Sequence, residues 1–380
     1  MITQDMPILH LTGTPRENGR THGESLRPQI AEILSLWRQT TPLPEGLTFA
    51  EAIEIFLEET RFVAQVQRYS PDLLDEIAGL AEGANVAPDI MLAFQFGDEA
   101  RWFFRDRFAA PEARGDRCSS IGARGENGAA TIVAENVDVG AWADGKQTVL
   151  RIAGSNGGAE TLVFTVAGMV AMNGVSGNGV AICCNTLLQL DPSPEGLPVA
   201  AVVRRALASA SFEEALDFVR SVRHASGQNY LLGGRGAIAN LECCGAGVAE
   251  YRLDARRDRV IHTNHPLANG ATGGYDRRLE QGGEDDNESL RQNSAERLDC
   301  LRRRFGEASG AASLEDVKAV LRARDHALYP VCRERDRDNG PFAWMTIGST
   351  IFELGEAVAM HAAAGPPSVC DYVRLEAAPA

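Results

Sequence analysis

RDRFAAPEARGDRCSSIGA, residues 105–123, is the stretch on which the reading of this chain turns. Its first two thirds are charged and broken by Pro111 and Gly115, which reads as an exposed connection. Upstream, apolar residues recur at helical spacing. Residues 16–37 carry Ile30, Ile33, Leu34 and Leu36, and residues 49–67 carry Ala52, Ile53, Ile55, Phe56, Phe62, Val63 and Val66. Ser70–Pro71–Asp72 predicts a helix start, with Ser70 as N-cap and the helix ending near Gly83. A further helix is expected over residues 89–104.

From Cys118 onward the pattern changes period. Short apolar runs such as TIVAENVDV, QTVLRIAG, TLVFTVAG, GVAICCNTLL, NYLLGG, AIANLECC and RVIHTN alternate with Gly, Asn and Asp turns. Gly177–Asn178–Gly179 is expected to be a tight turn between two strands rather than a phosphate loop. Helical stretches are expected at residues 199–222, 289–305 and 313–324, and strands again at residues 344–352 and 357–361. Two packed antiparallel sheets with helices on their outer faces satisfy this order, an α+β fold in two parts. Those parts are a helical segment, residues 1–117, and a β-rich body, residues 118–380.

Bulk composition narrows the function. Hydrophobic residues at 44% and charged residues at 23% support a packed core rather than disorder. The formal net charge of −15 is spread along the chain, which argues against nucleic acid or an anionic membrane surface as partner. No run of 18 apolar residues occurs and the N-terminus lacks a signal-peptide pattern, so a cytoplasmic protein is expected. The eight cysteines show no CxxC spacing, so no metal and no cofactor is expected. Cys183–Cys184 and Cys243–Cys244 read as buried strand positions.

Several segments in order resemble one family. Gly13–Thr14–Pro15 and Gly19–Arg20–Thr21–His22–Gly23–Glu24 resemble its opening pattern, and Glu76–Ile77–Ala78–Gly79–Leu80–Ala81–Glu82–Gly83–Ala84 resembles a glycine-bearing helix. Arg117–Cys118–Ser119–Ser120 resembles its cleavage segment, and Asn136–Val137–Asp138 its N.D motif. Residues 174–181 resemble a glycine-bearing hairpin, followed by Asn185–Thr186–Leu187 and His262–Thr263–Asn264–His265–Pro266. The ordered set, over about residues 10–365, is similar to the acyl-coenzyme A:isopenicillin N acyltransferase family (peptidase family C45) of N-terminal-nucleophile hydrolases.

That resemblance implies a four-layer αββα sandwich and a chain cut between Arg117 and Cys118 into two fragments that stay associated. Cys118 is then both nucleophile and, through its freed amine, base. A thiol needs a base and a site for the oxyanion, and an α-amine with a reference pKa of about 8 supplies the first. By resemblance, the Asn264 side chain and the Asn185 backbone N–H hold the oxyanion, and Asp138 holds the new ammonium group. Asn136, Ser349, His265, Phe342 and Trp344 are supporting or substrate-lining candidates, with His22 and His265 read as structural.

The expected activity is hydrolysis of a linear amide in a small N-acyl compound through a Cys118 thioester. Three alternatives stay open: transfer of the acyl group to an amine with acyl-coenzyme A as donor, a non-enzymatic binding protein on the same shell, and an uncut cysteine peptidase pairing Cys118 with His265. The penicillin-forming relative uses an arginine near its C-terminal strand, and residues 341–344 here (PFAW) offer none, so isopenicillin N is not the expected substrate. Val137 and Val139 also stand where many relatives have an aromatic residue inside or just after the N.D motif.

Overall fold

The computed structural model describes residues 6–41, 43–108, 117–125, 128–154, 157–253, 258–280, 288–308, 312–335, 340 and 343–380. The expected helical segment is a run of seven helices: α1 (Pro15–Ser25), α2 (Arg27–Thr40), α3 (Phe49–Glu59), α4 (Phe62–Tyr69), α5 (Pro71–Ala84), α6 (Pro88–Gln95) and α7 (Gly97–Phe108). Three stretches of this segment read as single helices are each two, and the stretch expected over residues 199–222 likewise divides, into Val199–Leu207 and Phe212–Ser221. Residues 16–37 break at Leu26, ahead of Pro28 in the first turn of α2; residues 49–67 break at Thr60; residues 89–104 break at Phe96. Proline suits a first helical turn and not an interior, which accounts for the first break. Pro71 opens α5 as expected, but the Ser70 side chain does not cap it: Ser70 Oγ is buried without a partner.

The α1 and α5 motifs have a packing explanation. A Cβ on Gly19 would lie 1.8 Å from Glu76 O, and one on Gly79 would lie 2.0 Å from Arg16 O. The two helices therefore touch backbone to backbone, which only glycine permits. Of the expected exposed connection, residues 105–108 end α7, and 109–116 lie outside the described residues.

Beyond it stand two sheets. The larger runs β1 (Ile8–Leu11), β4 (Gln147–Ile152), β5 (Thr161–Val166), β6 (Asn173–Ser176), β7 (Val180–Thr186), β8 (Gln228–Gly234), β9 (Ala237–Cys244) and β10 (Gly247–Glu250). The smaller runs β11 (Arg259–His262), β2 (Ser119–Ala123), β3 (Thr131–Gly140), β12 (Trp344–Leu354), β13 (Val358–Ala363) and β14 (Val373–Ala377). All pairings are antiparallel except β1 with β4, an edge strand lent by the N-terminal segment that the helical reading of residues 1–117 missed. The turn between β6 and β7 is tight, with Gly179 at φ +81°, as expected.

Alternation along β2 and β3 sorts the layers. Ser120, Gly122, Val133 and Glu135 face the larger sheet: Ser120 bonds Asn185, Glu135 bonds Asn173, and Gly122 and Val133 meet Leu231 and Gly233. Ile121, Ala123, Ile132 and Ala134 face outward into a second core. That core is closed by α11 (Glu288–Leu301) and α12 (Leu314–Leu321). On the other side α8 (Val199–Leu207) and α9 (Phe212–Ser221) cover the larger sheet, completing four layers of helix, sheet, sheet and helix; α10 (Gly273–Glu280) lies between β11 and α11 in the chain. Among the described residues no helix is long and apolar enough to cross a membrane.

Candidate active site

Cys118 stands just before β2, 6% exposed. Ser119 pairs with Asn136 in the β2–β3 ladder, and the Arg117 N–H reaches Asp138 O at 3.3 Å. The Arg117–Cys118 bond thus runs antiparallel beside Val137 and Asp138. By alternation the Cys118 side chain faces between the sheets, and Cys118 lines a cavity of about 430 Å³ there. Its wall is mostly apolar: Trp37, Phe94 and Phe104 come from α2, α6 and α7, and Val137, Trp142 and Trp344 from the body. The N-terminal segment therefore builds part of the site. It is tied down by Gln95, which spans Gly168 O (2.8 Å) and Val170 N (2.9 Å), and by the Arg204–Glu76 pair at 2.6 Å. His22 accepts from Gly168 N at 3.1 Å, and burial pushes its imidazole down to about 4, a neutral structural role.

The side chain that organises the centre is one the sequence reading passed over. Arg297, on α11 and 1% exposed, donates through Nη1 to Cys118 O at 2.5 Å and to Ser119 Oγ at 2.9 Å. Its Nη2 donates to Asn264 Oδ1 at 2.9 Å, and its Nε to Asn293 Oδ1 at 2.9 Å. Burial lowers this guanidinium to about 10 against the pull of Asp138, so it stays charged at neutral pH. A planar fork of five donors suits this bridging role and a lysine does not. In sequence it shows only as one arginine in an ordinary helix, with Asn293 one turn before it.

Asn264 is oriented from three sides. Its backbone N–H donates to Ser294 Oγ at 2.7 Å, its Oδ1 accepts from Arg297, and its Nδ2 donates to Thr186 O at 3.1 Å. An amide nitrogen carries two hydrogens, so Nδ2 keeps one to offer. Asn185 is fully buried, and its Oδ1 accepts from Ser120 Oγ (2.7 Å) and Asn229 Nδ2 (3.1 Å). That leaves Asn185 Nδ2 buried without a partner, a second donor on the residue whose backbone N–H the sequence reading nominated.

Asp138, 1% exposed, is opposite Thr346 in the β3–β12 ladder, where a bulge falls between Thr346 and Gly348. Burial raises its carboxyl to about 6 against the Thr346 hydroxyl and the guanidinium groups of Arg297, Arg333 and Arg117. Bulges recur beside active sites because they re-aim a side chain. Three residues earlier along β3, on the inner face, Glu135 lines the cavity. It accepts from Asn173 Nδ2 at 2.7 Å, and burial pushes its carboxyl up to about 8. Glu135 was not anticipated either, although it directly precedes the N.D motif.

The supporting candidates divide. Trp344 lines the cavity and stacks under the Arg117 guanidinium at 5.7 Å. Asn136 donates to Leu321 O (2.8 Å) and Val331 O (3.0 Å), tying the outer helical layer to the sheet. Ser349 shares that outer face, bonds Tyr372 at 2.7 Å and is not among the residues that line the cavity. His265 pairs through Nδ1 with Ser294 Oγ at 2.7 Å, and burial lowers it to about 4, which favours holding the loop over acting as a catalytic partner. Phe342 lies outside the described residues.

The chain is similar to several known proteins. In Emericella nidulans, the acyl-coenzyme A:6-aminopenicillanic-acid-acyltransferase 40 kDa form is 30% identical over 270 residues, covering 69% of this chain and 70% of the relative. Among solved structures, the Caenorhabditis elegans N-acylethanolamine-hydrolyzing acid amidase ortholog is 16% identical with a TM-score of 0.40, covering 62% of this chain and 92% of that one. Penicillin V acylase from Agrobacterium tumefaciens is 14% identical with a TM-score of 0.40, over 68% and 86%. Residues 125–365, a span that begins downstream of Cys118, match the family described as acyl-coenzyme A:6-aminopenicillanic acid acyl-transferase, and the chain belongs to that family.

Proposed function

We propose that this chain is a self-activating amide hydrolase in which Cys118 forms a thioester with the acyl group of an N-acyl compound. The observation that carries the reading is the convergence of Cys118, Asn264 and Asp138 around the buried Arg297, with Cys118 itself at the wall of an apolar cavity. Activation begins with attack of Cys118 Sγ on the Arg117 carbonyl carbon. The peptide C–N bond breaks as the acyl group passes to sulfur, and water then releases residues 1–117 as a carboxylic acid. The freed α-amine takes the thiol proton, which places base and nucleophile on one residue.

In turnover, the thiolate attacks the substrate carbonyl, and the oxyanion is received by Asn264 Nδ2 and by Asn185. Collapse expels the amine, which takes the proton from the α-ammonium group. Water then attacks the thioester and regenerates the thiol. Asp138, beside the Arg117–Cys118 bond, holds the ammonium form of the amine. The two fragments stay together, because the N-terminal helices supply cavity wall and the Arg204–Glu76 pair.

The same thioester supports transfer to an amine, and the family's acyltransferase membership favours testing that route in parallel. Acyl-coenzyme A is then the donor and an amine the acceptor. The eight cysteines, thiols rather than disulfides, support a reducing, cytoplasmic setting.

The experiment is intact mass spectrometry of purified protein, followed by incubation with acyl donors in the presence and absence of amines. Expected are two fragments with the larger beginning at Cys118, an acyl adduct on that fragment, and free acid as the main product. A single uncut but active chain would overturn self-activation, and Cys118→Ala with unchanged activity would overturn the nucleophile.

A further inference from the structure

Glu242, near the end of β9, has no exposed surface and is not part of the cavity wall, yet its carboxylate receives four hydrogen bonds. Oε1 accepts from His262 Nε2 at 2.7 Å and from Leu267 N at 2.6 Å. Oε2 accepts from Ala268 N at 2.9 Å and from Asn269 N at 2.6 Å. The Asn269 side chain closes the arrangement by donating to Glu242 O at 3.0 Å. His262 and residues 267–269 are the two ends of the loop that carries Asn264. One buried carboxylate therefore clamps both ends.

From these contacts we infer that Glu242 is the positioning residue of the oxyanion amide: it fixes the loop of residues 263–269 and so sets where Asn264 Nδ2 points. This rests on the reading of Asn264 as an oxyanion donor. The contacts from α11 to Asn264 orient its amide, but they need the loop to be at the right height, and the clamp supplies that. Three of the four contacts to Glu242 come from backbone N–H groups and require an acceptor. A glutamine there brings an NH₂ group that faces a backbone N–H in either orientation, Leu267 N on one side or Ala268 N and Asn269 N on the other, so at least one contact becomes donor against donor. The loop then shifts, and a displacement of about 1 Å in a catalytic group can cost on the order of a hundredfold in rate.

The test is a double-mutant cycle on the full chain, using p-nitrophenyl hexanoate as an activated acyl donor. Rates are normalised to the fraction of chain that begins at Cys118, and thermal melting is recorded for each variant. Glu242→Gln is expected to lower kcat by roughly 10–100-fold with KM within about twofold of wild type. Asn264→Ala is expected to lose on the order of a hundredfold. The double variant should be no more than about threefold slower than Asn264→Ala, since neighbours acting through one group are not additive. A folded Glu242→Gln at wild-type kcat, or one that slows the Asn264→Ala background as much as it slows wild type, overturns the proposal. Asn264→Ala at wild-type rate overturns the reading of Asn264 instead. Where Glu242→Gln does not fold, Glu242→Asp, which keeps the charge on a shorter arm, carries the cycle with the same criteria. Where a folded variant stays uncut, its rate of self-cleavage is compared in the same cycle.

Discussion

Arg297 donates to the backbone carbonyl of Cys118 at 2.5 Å, so the main chain of the proposed nucleophile is held by a buried cation from the outer helical layer. The same guanidinium holds Asn264, which couples the proposed nucleophile and the proposed oxyanion donor through one rigid group. Arg297→Lys keeps the charge but cannot span Cys118 O, Ser119 Oγ and Asn264 Oδ1 together. Its kcat is expected to fall on the order of a hundredfold while the protein still melts cooperatively, as read by turnover and calorimetry on one preparation. Arg297→Met should be slower still, because Asp138 then loses one of its cationic neighbours.

Asp138 shapes the acid side of the pH profile. Its carboxyl is held at about 6, chiefly by burial, so it is ionised at neutral pH and protonated below. If its charge holds the Cys118 ammonium group, kcat/KM should fall as pH drops through about 6 in the wild type. Asp138→Asn should lose that inflection and sit at a low plateau. A wild-type-like inflection in Asp138→Asn would assign the titration to another group.

Glu135 predicts a stability effect of definite sign. Its carboxyl is raised to about 8 in the folded protein by burial, well above its unfolded value. Between those two values the unfolded chain is ionised and the folded one is not, so stability falls as pH rises from about 4 to about 8 and is level beyond. Glu135→Gln removes this contribution. Its melting temperature should gain on wild type progressively between pH 5 and pH 8, toward an amplitude on the order of a few kcal/mol. A constant offset across that range would mean that Glu135 is ionised in the folded state.

Gly79 tests the close contact between α1 and α5. A Cβ there meets only backbone, 2.0 Å from Arg16 O and 2.8 Å from Arg16 C, and neither helix can yield locally. Gly79→Ala should destabilise by roughly 1–3 kcal/mol or more and lower the melting temperature by several degrees. Gly270→Ala, where a Cβ meets nothing within 4 Å, is the control and should melt with the wild type.

Much of this protein was determined by local sequence alone. The change of hydrophobic period at Cys118 is a local property, and it separated the helical run from the β-rich body. The Gly177–Gly179 turn and the burial of Cys183, Cys184, Cys243 and Cys244 in or near the core followed from the same kind of reading; of the four, only Cys184 keeps partial exposure. Motif order likewise singles out Cys118, Asp138, Asn185 and Asn264 as site candidates.

What the tertiary structure decided are the relations between residues far apart in the chain. Arg297 reaches Cys118 across 179 positions and Asn136 reaches Leu321 across 185, distances over which no periodicity signals a partner. Strand parity, set by the β2–β3 register and the bulge in β12, turned Ser349 out of the cavity and Glu135 into it. The parallel pairing of β1 with β4 depends on an edge left open by the body, so a four-residue strand gave no signal of its own. Local patterns record which way a side chain faces within its own element; which element it meets is settled only when the layers pack.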